Sequence, residues 1–320
     1  MPSELPETIG PYRVRELLGR AGGSAVFAAA DPRGRPAAVK LFPAPLGDDP
    51  ATVERFHREL AAVVAVSRHP NLVHLLETGE QGGRPYLAME LVDGTSLDRV
   101  LKQRRVSLPE AFAVMRGVGR GLAHAHQHGL VHRSLTPRNV LVSPDFAVVK
   151  VADLGATGYE TVAPSLTATL STGEIRLGAL YYLAPEALDG RSPLDARADL
   201  YSAGVIFHEM LTGRSPGPKF GLPSQLNPEL PQEVDAVILK CLARRPDERY
   251  ASAAELLAAV ERLEEVLRLR VLTDFRGISH AGSRLLGGTK TGTGGKRTFL
   301  FLGLAVLLIV LAAVGYFVLR

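Results

Sequence analysis

His132-Arg133-Ser134-Leu135-Thr136-Pro137-Arg138-Asn139-Val140-Leu141 is the stretch around which the rest of this 320-residue chain is organised. Before it, Pro109 to His128 carries apolar residues at helical spacing and runs into Gly129, a residue suited to a helix C-terminal stop. After it, Val140 to Val142 and Val148 to Val151 read as the two strands of a small hairpin, with Asp153-Leu154-Gly155 next. Asp153 follows a buried apolar strand and stands 14 residues past Asn139, a placement that suits a metal-facing carboxylate better than a turn residue. Within the stretch, position 134 is a serine. A hydroxyl is not basic near neutral pH, so Ser134 cannot take a proton from a substrate as a carboxylate would.

Working outward towards the N-terminus, residues 1–10 are a short polar lead and Tyr12 to Leu18 is a strand candidate. It runs into Leu18-Gly19-Arg20-Ala21-Gly22-Gly23-Ser24-Ala25-Val26, where backbone free of bulky side chains can approach a ligand closely. Pro36 to Phe42 reads as a strand carrying Ala38 and Lys40, and Val53 to Ser67 has helical periodicity and carries Glu59. His69-Pro70-Asn71-Leu72-Val73 ends that helix. Val73 to Leu76 and Pro85 to Leu91 are strand-like, and the second leads into Met89-Glu90-Leu91-Val92-Asp93-Gly94. His124, His126 and His128 fall at i, i+2 and i+4 and read as helix-surface histidines, because i, i+2 residues do not converge on one face.

Towards the C-terminus, residues 156–183 are rich in Ser and Thr and are followed by Ala184-Pro185-Glu186. Asp199 opens a strongly apolar helix that ends at Thr212-Gly213. The segment from Gly213 to Asp235 is Pro-rich and leaves little room for another full helix. Helical patterns resume over Gln232–Ala243 and Ala251–Leu269, with Arg249 between them.

Taken together, these motifs resemble the eukaryotic-like bacterial Ser/Thr protein kinases over roughly residues 10–265. The order Gly19, Lys40, Glu59, His132-Arg133, Asn139, Asp153-Gly155, Ala184-Pro185-Glu186, Asp199, Arg249 is the family's. The resemblance implies an α+β, bilobal fold with a small β-rich N-lobe, about 11–91, and a large helical C-lobe, about 95–270. It implies an ATP site built from Gly19, Val26, Ala38, Lys40, Glu59, Met89, Glu90, Val92, Asn139, Leu141 and Asp153. In the family the Lys, here Lys40, holds the nucleotide phosphates and pairs with the Glu, here Glu59. Magnesium ligands would be Asn139 and Asp153, and the segment around Met89 to Val92 would be the adenine hinge. Glu186 would pair with Arg249, and Arg133 would order a phosphorylated 156–183 loop.

The departures fall in one cluster. Ser134 replaces the catalytic Asp of the H-R-D-L-x-x-x-N pattern, Thr136 the following Lys, and Ala179 a Thr that normally contacts both. The resemblance therefore supports a pseudokinase that binds ATP and Mg²⁺ and acts as a signalling scaffold or regulator. An active or weakly active Ser/Thr kinase is the alternative, since phosphoryl transfer depends largely on positioning and electrostatics. A nucleotide-free interaction domain is the third reading. Expected partners are proteins, as substrates or scaffolded components, and an activating kinase acting on the 156–183 loop.

Composition bounds the rest. A net charge of +4 and a pI near 9.3, with the basic residues spread, do not indicate nucleic-acid binding. A single cysteine, Cys241, excludes a disulfide framework and reads as a buried apolar residue. The charged, Gly-rich first thirty residues do not read as a signal peptide. Residues 271–297 read as a flexible juxtamembrane linker. Phe299 to Leu319 is an uncharged apolar run of the length that spans a bilayer, so 298–319 is expected to be one C-terminal transmembrane helix in contact with lipid. Lys296 and Arg297 before it place the kinase-like domain on the cytoplasmic side of the cell membrane.

Overall fold

The computed structural model describes residues 5–21, 24–42, 58, 60–154, 180–189, 194–214 and 220–286, with side chains as far as residue 270. Glu59, Gly155, Ala179, most of the 156–183 loop and the apolar run at 298–319 lie outside the described residues. Residues 1–265 form one compact unit and 266–320 a second.

The small lobe is a six-stranded antiparallel sheet: β1 (Thr8–Ile9), β2 (Tyr12–Ala21), β3 (Ser24–Ala30), β4 (Pro36–Leu41), β5 (Leu75–Gln81) and β6 (Arg84–Glu90). Its strand order is β1-β2-β3-β4-β6-β5. Strand alternation separates two faces. Ala25, Phe27, Ala29, Ala37, Val39, Leu41, Tyr86 and Ala88 pack with Ile9 and Tyr12 into one apolar layer. The residues between them, including Val26, Ala38, Lys40 and Met89, therefore face the other way. Cross-strand pairing joins Val26 to Lys40 and Ala38 to Met89 on that second face. β5 starts two residues later than the apolar pattern suggests and continues through Glu77-Thr78-Gly79-Glu80-Gln81. It is an edge strand, so its outward residues are polar and carry little periodic signal. Helix α1, residues 60–66, follows β4 in the chain, and its side chains Leu60 and Val63 are buried.

The large lobe is mostly helical. Its described elements are β7 (Thr95–Ser96), α2 (Leu97–Gln103), α3 (Leu108–Gln127), β8 (Val140–Val142), β9 (Val149–Val151), α4 (Pro185–Asp189), α5 (Arg197–Thr212), α6 (Pro223–Leu226), α7 (Glu233–Cys241) and α8 (Ala253–Leu286). α3 starts on a complete capping box: Ser107 and Glu110 satisfy each other's backbone N–H groups, and Pro109 fits the first turn. α5 is buried along nearly its whole length, from Ala198 to Thr212, and ends at Gly213 in the left-handed conformation. A helix buried all round belongs in the middle of a lobe, and its few polar side chains, Asp199 and Ser202 among them, are hydrogen-bonded there. α6 has four residues, in keeping with the Pro-rich segment around it. Cys241 is fully buried, and burial pushes its thiol up to about 12.

α8 corrects one boundary. It continues to Leu286, so the first half of the segment read as a flexible linker from residue 271 is helical. Gly277 and Gly282 each cost a helix about 1 kcal/mol relative to Ala. The long run of strong helix formers ahead of them, Ala253 to Leu269, bears the cost of nucleating the helix.

Candidate active site

The site forms where the inner face of the small-lobe sheet meets the loop between α3 and β9. Lys40 projects from β4 and is almost fully buried, and its Nζ lies 3.0 Å from Asp153 Oδ1. Asn139 Nδ2 donates to the other carboxylate oxygen, Oδ2, at 3.1 Å. Thus two residues from separate parts of the sequence converge on one carboxylate. Asp153 is in the left-handed region at φ 60°, which Asp tolerates better than most residues. Its side chain is 30% exposed. Burial alone would raise its carboxyl, but the Lys40 ammonium, with help from His132 and Asn139, holds it below the usual carboxylate range.

That direction fixes a pH dependence. A depressed carboxyl contributes stability above its unfolded value and loses it as pH falls through the folded one. The stability advantage of the natural chain over Asp153→Asn, followed by urea denaturation, is expected to be present at neutral pH and to shrink below about pH 4. A difference that stays constant down to acid pH would refute the pairing.

The loop holding Asn139 is tied down from below. Asp199, at the start of α5 and fully buried, accepts from His132 N at 2.8 Å and from Arg133 N at 2.7 Å. His126 Nε2 donates to the same carboxylate at 2.8 Å. These bonds hold Arg133 at φ 68°, a conformation that a non-glycine residue adopts only under constraint. His132 Nε2 donates to Ala152 O at 2.9 Å, and Ala152 N donates to Asn139 O at 2.7 Å, so the loop and the strand leading to Asp153 are stitched together.

His126 is thus not a surface histidine: its side chain is 9% exposed and serves as a third donor to Asp199. His124 is also tied in, with Nε2 bonded to Val66 O and its ring stacked 4.6 Å from that of His69. No group that could hold a metal through three His, Cys, Asp or Glu side chains occurs among the described residues.

Ser134 is half-buried beside this framework. Thr136, in the other altered position, donates through its hydroxyl to Asn139 Oδ1 at 2.8 Å, and its N–H reaches the same oxygen at 3.2 Å. Asn139 therefore turns its amide nitrogen to Asp153 and its oxygen to Thr136.

The other described residues of the expected site lie on the strands and segments that flank Lys40 and Asp153 in the chain. Val26 and Ala38 share the face of Lys40, and Met89, 6% exposed, pairs with Ala38. Gly19 pairs with Val26 after a register shift in β2, with open space where a side chain would stand. Leu141 lies in β8, paired with Lys150 of β9, and Val92 is half-buried just past β6. The side chain of Glu90 turns away from the cleft to accept from Lys150 Nζ at 2.6 Å and from His74 N at 2.8 Å. Lys150 also reaches Leu72 O at 3.2 Å, so it joins the strand before Asp153 to the segment after Met89. Nothing in the V-K-V pattern of β9 signals this beyond an outward-facing lysine. In the large lobe, Arg249 grips Glu186 with two bonds of 2.7 and 2.8 Å, as expected.

This geometry agrees with comparisons to known proteins. Residues 12–260 match the model of the protein kinase domain. The chain belongs to the protein kinase domain family. The serine/threonine-protein kinase PknB of Mycobacterium tuberculosis is 36% identical over 286 residues, covering 82% of this chain and 45% of that one. A probable serine/threonine-protein kinase of Streptomyces coelicolor is 36% identical over 275 residues, covering 79% of this chain and 40% of that one. The chain thus spans about two fifths of the length of these curated relatives. Among solved structures, the PknI kinase domain of M. tuberculosis superposes with a TM-score of 0.62 at 26% identity, over 80% of this chain and 96% of that one. The family and its bacterial Ser/Thr kinase character are shown by these matches, and ATP and Mg²⁺ are the family's general requirements.

Proposed function

We propose that the chain binds ATP with Mg²⁺ and transfers the γ-phosphate to Ser or Thr of protein substrates, slowly for want of a catalytic carboxylate. The observation that carries the reading is the convergence of Lys40, Asn139 and Asp153 on a loop fixed by Asp199. The residues fit the cofactor: Asp153 and Asn139 supply hard oxygen donors, which suit Mg²⁺. Bound there, the ion would neutralise phosphate charge. Lys40, now paired to Asp153, is the cation for the nucleotide phosphates. For Asn139 to present its oxygen on the Asp153 side its amide must turn over, and the Thr136 hydroxyl can then accept from the nitrogen.

Sequence reasoning set the binding module ahead of the enzyme. The intact framework and the kinase relatives support transfer at least as well. The pseudokinase reading keeps one specific support, the joint replacement at Ser134 and Thr136. A labelled-ATP transfer assay on the full chain with a generic protein substrate, with Asp153→Asn as the blank, separates the two. Transfer above the blank is expected. No transfer, in protein that ATP still stabilises against heat, would leave the pseudokinase. A bilayer tether through 298–319 and a cytoplasmic kinase domain belong to the same proposal, supported by the apolar run and the Lys296-Arg297 flank.

Lys40→Met tests the site itself. With the phosphate cation gone, the ATP-induced rise in melting temperature seen in the natural chain is expected to disappear. A rise of equal size in the variant would sink the assignment of Lys40.

A further inference from the structure

α8 runs on to Leu286, well past residue 260, where the match to the kinase domain ends. Its last stretch, residues 271–286, has a pattern of its own. At 3.6 residues per turn, the positions of Val271, Phe275, Ile278, Gly282 and Leu285 fall within one arc of about 80°. The positions of Arg276, His280 and Arg284 fall on the opposite arc. A helix with an apolar stripe along one side needs something to cover that side. It is not built to cross a bilayer: among the described residues, no helix is long and apolar enough to do so. An apolar side carrying Phe and Leu, set against a basic side, instead suits a helix lying in the plane of a bilayer surface.

Two features of the sequence favour an anionic lipid surface over a second copy of the chain. The first is charge. Residues 271–297 hold five basic residues, Arg276, Arg284, Lys290, Lys296 and Arg297, against one acidic residue, Asp274. Two copies side by side would bring like charges together. An anionic surface attracts them, each Lys or Arg near it contributing about fivefold in affinity. The second is reach. Only residues 287–297 separate the end of α8 from the apolar run at 298–319, and such a length of chain spans about 40 Å at most. A bilayer crossed by 298–319 is therefore always within reach of the helix.

We propose that residues 271–286 of α8 dock on the anionic lipid headgroups of a bilayer, with the Phe275 arc towards the acyl chains and the Arg276-Arg284 arc towards the headgroups. The inference rests on the tether reading above and goes beyond it. It adds a second, charge-dependent contact that holds the end of α8 flat on the surface and makes the kinase domain's attachment sensitive to lipid composition.

The chain has no tryptophan, so Phe275→Trp and, separately, His280→Trp each introduce one fluorescent reporter, on the apolar and the basic arc. The full chain carrying either change is reconstituted in vesicles of phosphatidylcholine with phosphatidylglycerol and of phosphatidylcholine alone, the phosphatidylcholine brominated on its acyl chains. With the anionic lipid, the Phe275→Trp reporter is expected to shift its emission to the blue and to be quenched by bromine. The His280→Trp reporter is expected to be quenched by aqueous acrylamide instead. Omitting phosphatidylglycerol, adding salt or combining Arg276→Gln with Arg284→Gln should each reduce the bromine quenching of the Phe275→Trp reporter. A Phe275→Trp reporter open to acrylamide on anionic vesicles would overturn the proposal. So would one shielded from acrylamide yet untouched by bromine, which would be packed against protein. Equal bromine quenching with and without phosphatidylglycerol would overturn the role of anionic lipid. Flotation of the natural chain reads the tether separately. A chain that floats with both kinds of vesicle while the Phe275→Trp reporter faces water loses the surface helix and keeps the tether. A chain that floats with neither overturns both readings.

Discussion

Ser134→Asp is expected to raise the rate of phosphoryl transfer roughly 10²–10⁴-fold, the usual contribution of a positioned general base. The expectation depends on the loop being ready to receive the carboxylate. Its backbone on the N-terminal side is pinned, with His132 N and Arg133 N both donating to Asp199. On the C-terminal side, Leu135 is fully buried and Asn139 is bonded to Asp153. A new side chain at 134 therefore enters a fixed frame, and its reach is set by that frame. The gain should appear in kcat with little change in the KM for ATP, because the base acts on the substrate hydroxyl and not on the nucleotide. Adding Thr136→Lys would return a second charge to the cluster, at the cost of freeing Asn139 Oδ1. Single-turnover measurements on the natural chain, Ser134→Asp and Asp153→Asn decide the point. If Ser134→Asp transfers no faster than the natural chain, the loop is not poised for catalysis, and the pseudokinase reading gains.

Much of the site was legible because its chemistry demands particular residues at particular distances along the chain. Lys40, Asn139, Asp153, Glu186 and Arg249 were each placed from motif and spacing, and the structure brings Lys40, Asn139 and Asp153 together and pairs Glu186 with Arg249. β4 and β6 could be read because both are largely apolar on both sides, whereas β3 was passed over as part of the glycine-containing loop before it. β5 was read short because an edge strand shows water a polar face. What sequence reasoning missed are pairings between distant positions. His126 looked like one of three surface histidines, yet its partner, Asp199, is 73 residues away. Lys150 and Glu90 are 60 residues apart. A single sequence states the donor and the acceptor but not that the fold makes them neighbours. Thr136 is the opposite case: its partner is three residues on, and a Thr-Pro-x-Asn turn could have suggested that hydroxyl-to-amide bond.

Arg249→Ala is expected to destabilise the kinase domain by about 3–5 kcal/mol, the range found when one member of a buried ion pair is removed. The Arg249 side chain is fully buried. Its guanidinium makes the paired bonds to Glu186 and also donates to Ala243 O at 2.8 Å, Arg197 O at 3.0 Å and Arg244 O at 3.2 Å. It lies 5.1 Å from the Tyr201 ring centroid as well. One side chain thus ties α4, the start of α5 and the turn after α7 to one another. Truncation leaves the Glu186 carboxylate, itself only 18% exposed, without its cation, and it orphans three carbonyls at once. Arg249→Lys keeps the charge but has three donors on one nitrogen instead of five in a planar fork, so it cannot serve all these acceptors. The lysine variant should fall between the alanine variant and the natural chain. The double variant Arg249→Ala with Glu186→Gln should be less unstable than the sum of the single changes, because the stranded charge is gone. Urea denaturation of the five proteins, Glu186→Gln alone included, at neutral pH measures this. A loss below about 1 kcal/mol for Arg249→Ala would place the pair among weak surface bridges. Strict additivity would mean that Glu186 and Arg249 do not act as a unit. Since α4 follows directly on the end of the 156–183 loop, the same substitution should also lower phosphoryl transfer at temperatures where the variant remains folded.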